Sequence, residues 1–480
     1  MEQRNGNKNL WRAAFAMLIV GWALVRWALP MDVDEGLTLT SSWQVSQGLR
    51  PYVDFFEFYP PGSFYLLGFA FKIFGSSYVV ARLLTMVLAL ATAWGLDRLC
   101  SLFTKKPLHR FTVLALWFSC QVFYPFVNHN HYALLASIWA TYALILAWRE
   151  NRAGWYAAAG AAAGATAWFL QTRGAALVLA GIIVVISTRR WKNAAGYLLG
   201  LLAALAPMLL VAPFPVLWQH LVVFPFLQYA EPNFVSPNLL FATFALLFAV
   251  AVLAWRTRLS ASGFWPLWLV AALQLFTIWS RADIRYLALV LWPLPILFVA
   301  ITAHRWEWPT VPPWPRIAKV FFYYASFLLV AQLIGWSAIP VSAAFVITPH
   351  GNVRDRFLLR DPFWSAVADE VVRRTGPGEP IFATPYIPAT YFFTQRPNAT
   401  RYNVLLSRLH PQDFFAETVA SLERVKPKIV VRVLGSFAVG RGFHRDGTVV
   451  DHYLDTHYHV VMPTVNGYTI QILERNSEIP

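Results

Sequence analysis

Charge is scarce in this 480-residue chain: Asp, Glu, Lys and Arg make up 13% of it, against 58% hydrophobic residues. A soluble protein of this size does not need so much apolar surface. The scarcity points instead to a polytopic helical membrane protein, in which each spanning backbone satisfies its own hydrogen bonds. Cysteine is rarer still. Cys100 and Cys120 lie in or beside apolar runs and can build neither a disulfide framework nor a zinc site. Acids are outnumbered, 24 Asp and Glu against 39 Lys and Arg, giving a formal net charge of +15. Such an excess can mark a nucleic-acid partner. Here the cations sit in short breaks between apolar runs, with no basic face or arm, so no nucleic acid is implied.

Apolar segments are what the chain has in quantity, each near the roughly 20 residues a bilayer requires. We read eleven, at about 10–30, 78–99, 111–127, 132–148, 154–170, 174–188, 194–211, 238–254, 264–279, 286–303 and 318–340. The stretch 154–188 fits one long helix or two short ones. Residues 1–30 read as a signal anchor rather than a cleaved signal, because Arg26 and Trp27 stand where small residues precede a cleavage site.

With the N-terminus in the cytoplasm, alternate breaks carry Arg98, Lys105, Lys106, Arg110, Arg149, Arg152, Arg189, Arg190, Lys192, Arg256, Arg258, Arg305, Arg316 and Lys319, joined by Arg4, Lys8 and Arg12. The opposite breaks hold only Arg50, Lys72, Arg173, Arg281 and Arg285. Cytoplasmic loops favour Lys and Arg, so this asymmetry sets the orientation and puts the 31–77 loop outside. An odd number of spans then puts the C-terminus outside too. The expected fold is a polytopic α-helical membrane protein of about 11 transmembrane helices (residues 1–340), with a small extracytoplasmic α/β domain at 341–480. In that tail, Asp361-Pro362 opens a helix to Arg374, "PIFATPY" (380–386) and "KIVVRVLG" (428–435) read as strands around a helix near 411–425, and 457–474 reads as a hairpin across Asn466-Gly467. The tail carries fifteen basic and thirteen acidic residues, so no acidic polymer partner is implied.

The outer loop gathers Asp32, Asp34, Glu35, Asp54 and Glu57 just past the first span. "GLTLTSSWQVSQGL" (36–49) and "PGSFYLLGFAFKIFG" (61–75) have the pattern of helices lying in the membrane interface. Together they would roof a cavity open sideways to lipid and wet at its mouth. A carboxylate there, Asp34 first, can act as general base on a sugar or lipid hydroxyl attacking an anomeric carbon. A leaving phosphate would need cations, and Arg82, Arg173, Arg281 and Arg285 are on that side. Charge within a span is costly and marks a pathway or site by default; the plainer reading is that these arginines snorkel or pair with Asp283 and the loop acids. "DVD" (32–34) matches a short metal-holding pattern and leaves a divalent cation open, although the chain carries no convincing metal site. His129 and His131 at the outer end of the third span could hydrogen-bond a sugar. Their i,i+2 spacing argues against a metal pair.

The order "DE", then "GLRPYVD", "PPGSFY" and "GSSYVVAR" over about 50 residues resembles the first external loop of the GT-C membrane glycosyltransferases, the branch with protein O-mannosyltransferases and lipid A aminoarabinose transferases. "GAAAGATAWFLQTRGAALVL" and "SRADIRYLALVLWPLPIL" are similar to later parts of that family. The resemblance implies an inverting transfer of a sugar from a polyprenyl-phosphate donor to a lipid, glycan or cell-wall acceptor on the outer face of an inner (plasma) membrane. Asp34 would be the base and Glu35 its neighbour in the site. One departure stands out. Where the aminoarabinose branch has a phosphate-binding Lys before the Pro of this loop, "EFYPP" has Tyr59. That moves phosphate binding onto the four arginines and argues against an aminoarabinose donor. A transporter or flippase of lipid-linked saccharides would share the spans and basic pockets, but calls for paired halves and midplane polar sites, and no internal repeat is visible.

Overall fold

Polar residues punctuate the apolar runs, and they start the helices. Ser77 is extended and its side chain accepts a hydrogen bond from the Val80 N–H, a cap for one of the N–H groups that a first turn leaves over. Asn128 does the same for Asn130. At Leu170 the backbone is extended, which divides 154–188 into two helices and starts the second on Gln171, two residues before Arg173.

The computed structural model describes residues 11, 13–23, 31, 33–120, 127–228, 264–278, 286, 289–303, 362–434, 447–462 and 470–477. The helices are α1 (Ala13–Ala23), α2 (Val33–Ser46), α3 (Gly62–Phe74), α4 (Tyr78–Ser101), α5 (Pro107–Cys120), α6 (His129–Glu150), α7 (Ala153–Phe169), α8 (Gln171–Thr188) and α9 (Trp191–Leu205). α10 (Phe214–Gln228) contains one π turn at Gln219–Val223, and α11 (Phe264–Phe276) and α12 (Pro293–Ala303) follow. Among the described residues, four helices are long and apolar enough to cross a membrane: α4, α6, α8, and α9 with its continuation to Leu210. The expected spans at 238–254 and 318–340 lie outside the described residues. α10 was not expected from the sequence.

α7 and α9 pack almost backbone to backbone. A Cβ on Gly160 would stand 2.1 Å from the Tyr197 carbonyl oxygen, and one on Gly200 2.0 Å from that of Ala157. Small residues allow such approach between membrane helices, where close packing replaces the hydrophobic drive. A single buried apolar cluster, from Trp22 through Leu96, Ile138 and Leu267 to Ala300, ties the bundle together.

The tail forms a four-stranded sheet in the order β1-β2-β4-β3, from β1 (Phe382–Thr384), β2 (Ile429–Val433), β3 (Tyr458–Met462) and β4 (Ile470–Arg475). β1 and β2 run parallel; β2–β4 and β3–β4 are antiparallel. The turn at Asn466-Gly467 lies outside the described residues. Helices α13 (Pro362–Arg374), α14 (Ala389–Thr394), α15 (Gln412–Val425) and α16 (Val449–His457) accompany the sheet. α16 starts with a capping box between Thr448 and Asp451.

This sheet unit is packed onto the first loop. One apolar cluster joins Leu39, Trp43, Leu67, Phe71 and Tyr78 to Ile381, Phe392, Val431 and Ile472. A second joins Phe56, Phe58 and Phe224 to Phe382, Tyr402 and Phe415. Both expected loop helices form, but α2 does not lie at an open surface. Thr40, Ser41 and Ser42 are fully buried and α14 covers the helix: a Cβ on Gly36 would meet Ala389 at 2.8 Å.

Candidate active site

Asp34 and Glu35 stand in the first turn of α2, where free N–H groups and the helix dipole favour negative charge. Their partners differ. Glu35 is 1% exposed. One carboxylate oxygen accepts from the Val127 N–H at 2.8 Å and the other from the Tyr78 hydroxyl. The Tyr78 oxygen in turn accepts from Arg82 Nη2 at 2.7 Å. Arg82, one turn further along α4, is 4% exposed and its guanidinium lies 4.7 Å from the Tyr78 ring centre. Glu35, Tyr78 and Arg82 therefore form a buried chain of hydrogen bonds between α2 and α4. Asp34 is half-buried, and its Oδ1 accepts from the Tyr386 hydroxyl at 2.6 Å. That tyrosine belongs to the C-terminal unit.

The remaining acids separate. Glu57 is 1% exposed and accepts from the Phe58 and Tyr59 N–H groups at 3.0 and 3.4 Å and from the Ser41 hydroxyl at 3.2 Å. Burial pushes its pKa up to about 7, against the downward pull of those three bonds. Asp54 pairs with Arg50 at the surface at 3.6 Å. Asp32 lies outside the described residues. The acids thus do not line one water-exposed mouth as their clustering suggests: Glu35 and Glu57 are inside the protein, and each has its own set of donors.

A second group assembles where α6 begins. His129 and His131 are buried in its first turn. The Tyr59 ring stacks on His129, with centres 4.1 Å apart and planes 28° to each other. Arg173, 1% exposed at the start of α8, donates from Nη1 to the Asn130 carbonyl at 3.4 Å. The two groups meet through Val127, bonded to Glu35 and two residues before His129. The structure therefore brings Asp34, Glu35, Arg82, Tyr59, His129, His131 and Arg173 into one region. Arg281 and Arg285 lie outside the described residues.

Sequence reasoning missed Tyr78, Tyr386, Glu57 as a buried acid, and His220, whose Nδ1 is 2.8 Å from the Glu57 carbonyl oxygen. Tyr78 had a signal, since residues four apart share a helix face and Arg82 is charged within a span. Tyr386 had none, being 352 residues from its partner. Among the described residues, no group of three or more His, Cys, Asp or Glu is placed to hold a metal ion.

This geometry sits within a recognisable architecture. A family model described as dolichyl-phosphate-mannose-protein mannosyltransferase matches residues 59–218. ArnT from Cupriavidus metallidurans, solved in the apo state, matches with a TM-score of 0.57 at 15% identity, over 96% of this chain and 98% of that one. The architecture is the GT-C fold. Within the GT-C fold, the family-model match opens on Tyr59 and takes in Arg82, His129, His131 and Arg173, whereas Asp34 and Glu35 precede it. The arabinosyltransferase EmbB from Mycobacterium smegmatis also matches, with a TM-score of 0.48 at 14% identity, over 74% of this chain and 43% of that one. No curated protein matches the chain by sequence.

Proposed function

We propose that this GT-C chain is an inverting glycosyltransferase that moves a sugar from a polyprenyl-phosphate donor to a lipid, glycan or cell-wall acceptor at the outer face of an inner (plasma) membrane. The observation that carries this reading is the half-buried Asp34 carboxylate in the first turn of α2, next to the buried Glu35–Tyr78–Arg82 chain, within a GT-C fold. Asp34 takes the proton from the acceptor hydroxyl as its oxygen attacks the anomeric carbon. The bond from that carbon to the phosphate oxygen breaks, its electron pair leaving with polyprenyl phosphate. Attack opposite the leaving group inverts the anomeric centre.

Charge developing on the phosphate calls for fixed cations nearby. We assign Arg173, with Arg82, Arg281 and Arg285, to that task, and a divalent cation is a second way to neutralise the same charge. Glu35 holds Arg82 in place through Tyr78. Tyr59, half-buried and stacked on the buried His129 where the aminoarabinose branch would offer a Lys, gives an aromatic edge suited to a sugar ring. The C-terminal unit lies, on this reading, on the outer side with the loop it packs against.

A turnover assay in lipid vesicles tests the proposal. Wild type and Asp34→Asn each receive radiolabelled polyprenyl-phosphate sugars with a crude lipid and glycan extract. Release of polyprenyl phosphate by the wild type, lost in a folded Asp34→Asn protein, is the expected result. Equal turnover by both would remove Asp34 as base, and no turnover of any donor would remove the transferase.

A further inference from the structure

The C-terminal unit is not joined to the first loop by apolar contact alone. Gln44 and Asn403 exchange two amide hydrogen bonds, of 3.0 and 2.7 Å, between buried side chains. The Thr40 hydroxyl donates to the Pro388 carbonyl at 2.6 Å, and the Phe56 N–H to the Arg401 carbonyl at 2.8 Å. Short segment 385–388 is fixed from both sides, because the Leu405 N–H also donates to the Pro385 carbonyl at 2.9 Å. Tyr386 lies within that segment. Its ring packs against the same apolar cluster as Leu37 and Tyr59, and its hydroxyl reaches Asp34 at 2.6 Å.

We propose that Tyr386 is a positioning residue for the transfer reaction: the C-terminal unit completes the active site by holding the Asp34 carboxylate at the angle and depth from which it takes the acceptor proton. The inference rests on the assignment of Asp34 as base. The physical case is one of orientation. An Asp side chain has two rotatable bonds, and a half-buried carboxylate at a helix start can turn about both. A neutral O–H donor bonded to one oxygen selects a single orientation without removing the negative charge that makes the group a base. Tyr386 is suited to this because its ring is gripped by the cluster and its segment is held by hydrogen bonds at Pro385 and Pro388, so the hydroxyl cannot follow the carboxylate if it swings away. A displacement of about 1 Å in such a group costs on the order of 100-fold in rate. α2 and the unit bearing Tyr386 are also interlocked at Gly36–Ala389, so the two residues keep their spacing.

The test uses the full chain in lipid vesicles with radiolabelled polyprenyl-phosphate mannose, glucose and arabinose and the crude extract as acceptor. Three variants are compared with wild type: Tyr386→Phe, Gln44→Met and Asp34→Asn. Gln44→Met removes the amide pair with Asn403 from the same interface without touching Asp34 or segment 385–388. Expected is a 10- to 100-fold fall in kcat for Tyr386→Phe, donor KM within about twofold of wild type, and near-normal kcat for folded Gln44→Met. Normal kcat in Tyr386→Phe alongside an inactive Asp34→Asn overturns the inference and leaves the base assignment standing. A comparable loss in folded Gln44→Met overturns it too, since the interface would then act through packing alone. An active Asp34→Asn, or a wild type that turns over none of the three donors, defeats the underlying reading and the inference with it.

Discussion

Replacing Glu35 with Gln should destabilise the fold by several kcal/mol, although the two side chains have the same shape. Glu35 and Arg82 are almost fully buried and linked through one phenol oxygen. Their charges are at most about 5 Å apart, which at an effective dielectric constant of about 20 is an attraction of about 3 kcal/mol. Breaking a buried pair by deleting one partner costs about 3–5 kcal/mol, because the other charge stays behind in a poor solvent. Glu35→Gln and Arg82→Met should therefore each lower the folding constant by about two powers of ten or more. The double variant is the sharper measurement. With both charges gone the desolvation penalty disappears as well, so it should be far less damaged than the sum of the singles. Equilibrium unfolding of the four proteins in mixed detergent micelles reads this directly. Additive losses in the double variant, or single losses below about 1 kcal/mol, would refute the linkage.

Glu57 makes stability depend on pH. Its folded-state pKa of about 7 stands above the 4.5 of an ordinary Glu, so between these values the native chain holds a proton that the unfolded chain has released. Stability should therefore fall as pH rises through that window, by up to about 3 kcal/mol, and Glu57→Gln should flatten the curve. Unfolding midpoints from pH 4 to 8 check it. Gly160→Ala or Gly200→Ala would drive a methyl group into a backbone carbonyl that cannot move aside. Either should cost about 1–3 kcal/mol or more through overpacking, seen as loss of monodisperse protein in detergent, while Gly154→Ala, with nothing within 4 Å, should be silent.

Local chemistry was legible in the sequence. Apolar length gave α4, α6 and α8, and alternation with turn residues gave β2 and the β3–β4 pair. The loop helices were visible as apolar spacing at Leu37, Leu39, Trp43 and Val45. α10 escaped because Pro215, Gln219, His220 and Pro225 interrupt its apolar run. The capping box at Thr448 and Asp451 was there to be read, but its helix spans only nine residues. What could not be read was depth. Asp34, Glu35 and Glu57 look alike as loop acids, and tertiary contacts alone tell them apart: Val127 and Tyr78 enclose Glu35, Ser41 and the backbone of Phe58 and Tyr59 enclose Glu57, and Asp34 gains a tyrosine partner from the C-terminal unit. Arg82 was visible as a charge in a span, but its engagement with Glu35 depends on Tyr78 aligning two helices. Contacts set by folding across 350 residues leave no local pattern.

The sequence separation of those contacts bears on how the protein is made. α2 leaves the ribosome early, but Thr40, Gln44 and Asp34 find their partners 348, 359 and 352 residues later. At roughly 5–20 residues per second, that interval is about 20–70 s. Throughout it, the hydroxyls and amides of α2 must rest against water, lipid headgroups or a chaperone. Under the proposed mechanism, a nascent chain could therefore complete its membrane bundle and still be inactive. Full competence would arrive in one step when the last strand closes the sheet, so a truncation that removes β4 should yield an inserted protein with transferase activity lower by about 10- to 100-fold or more.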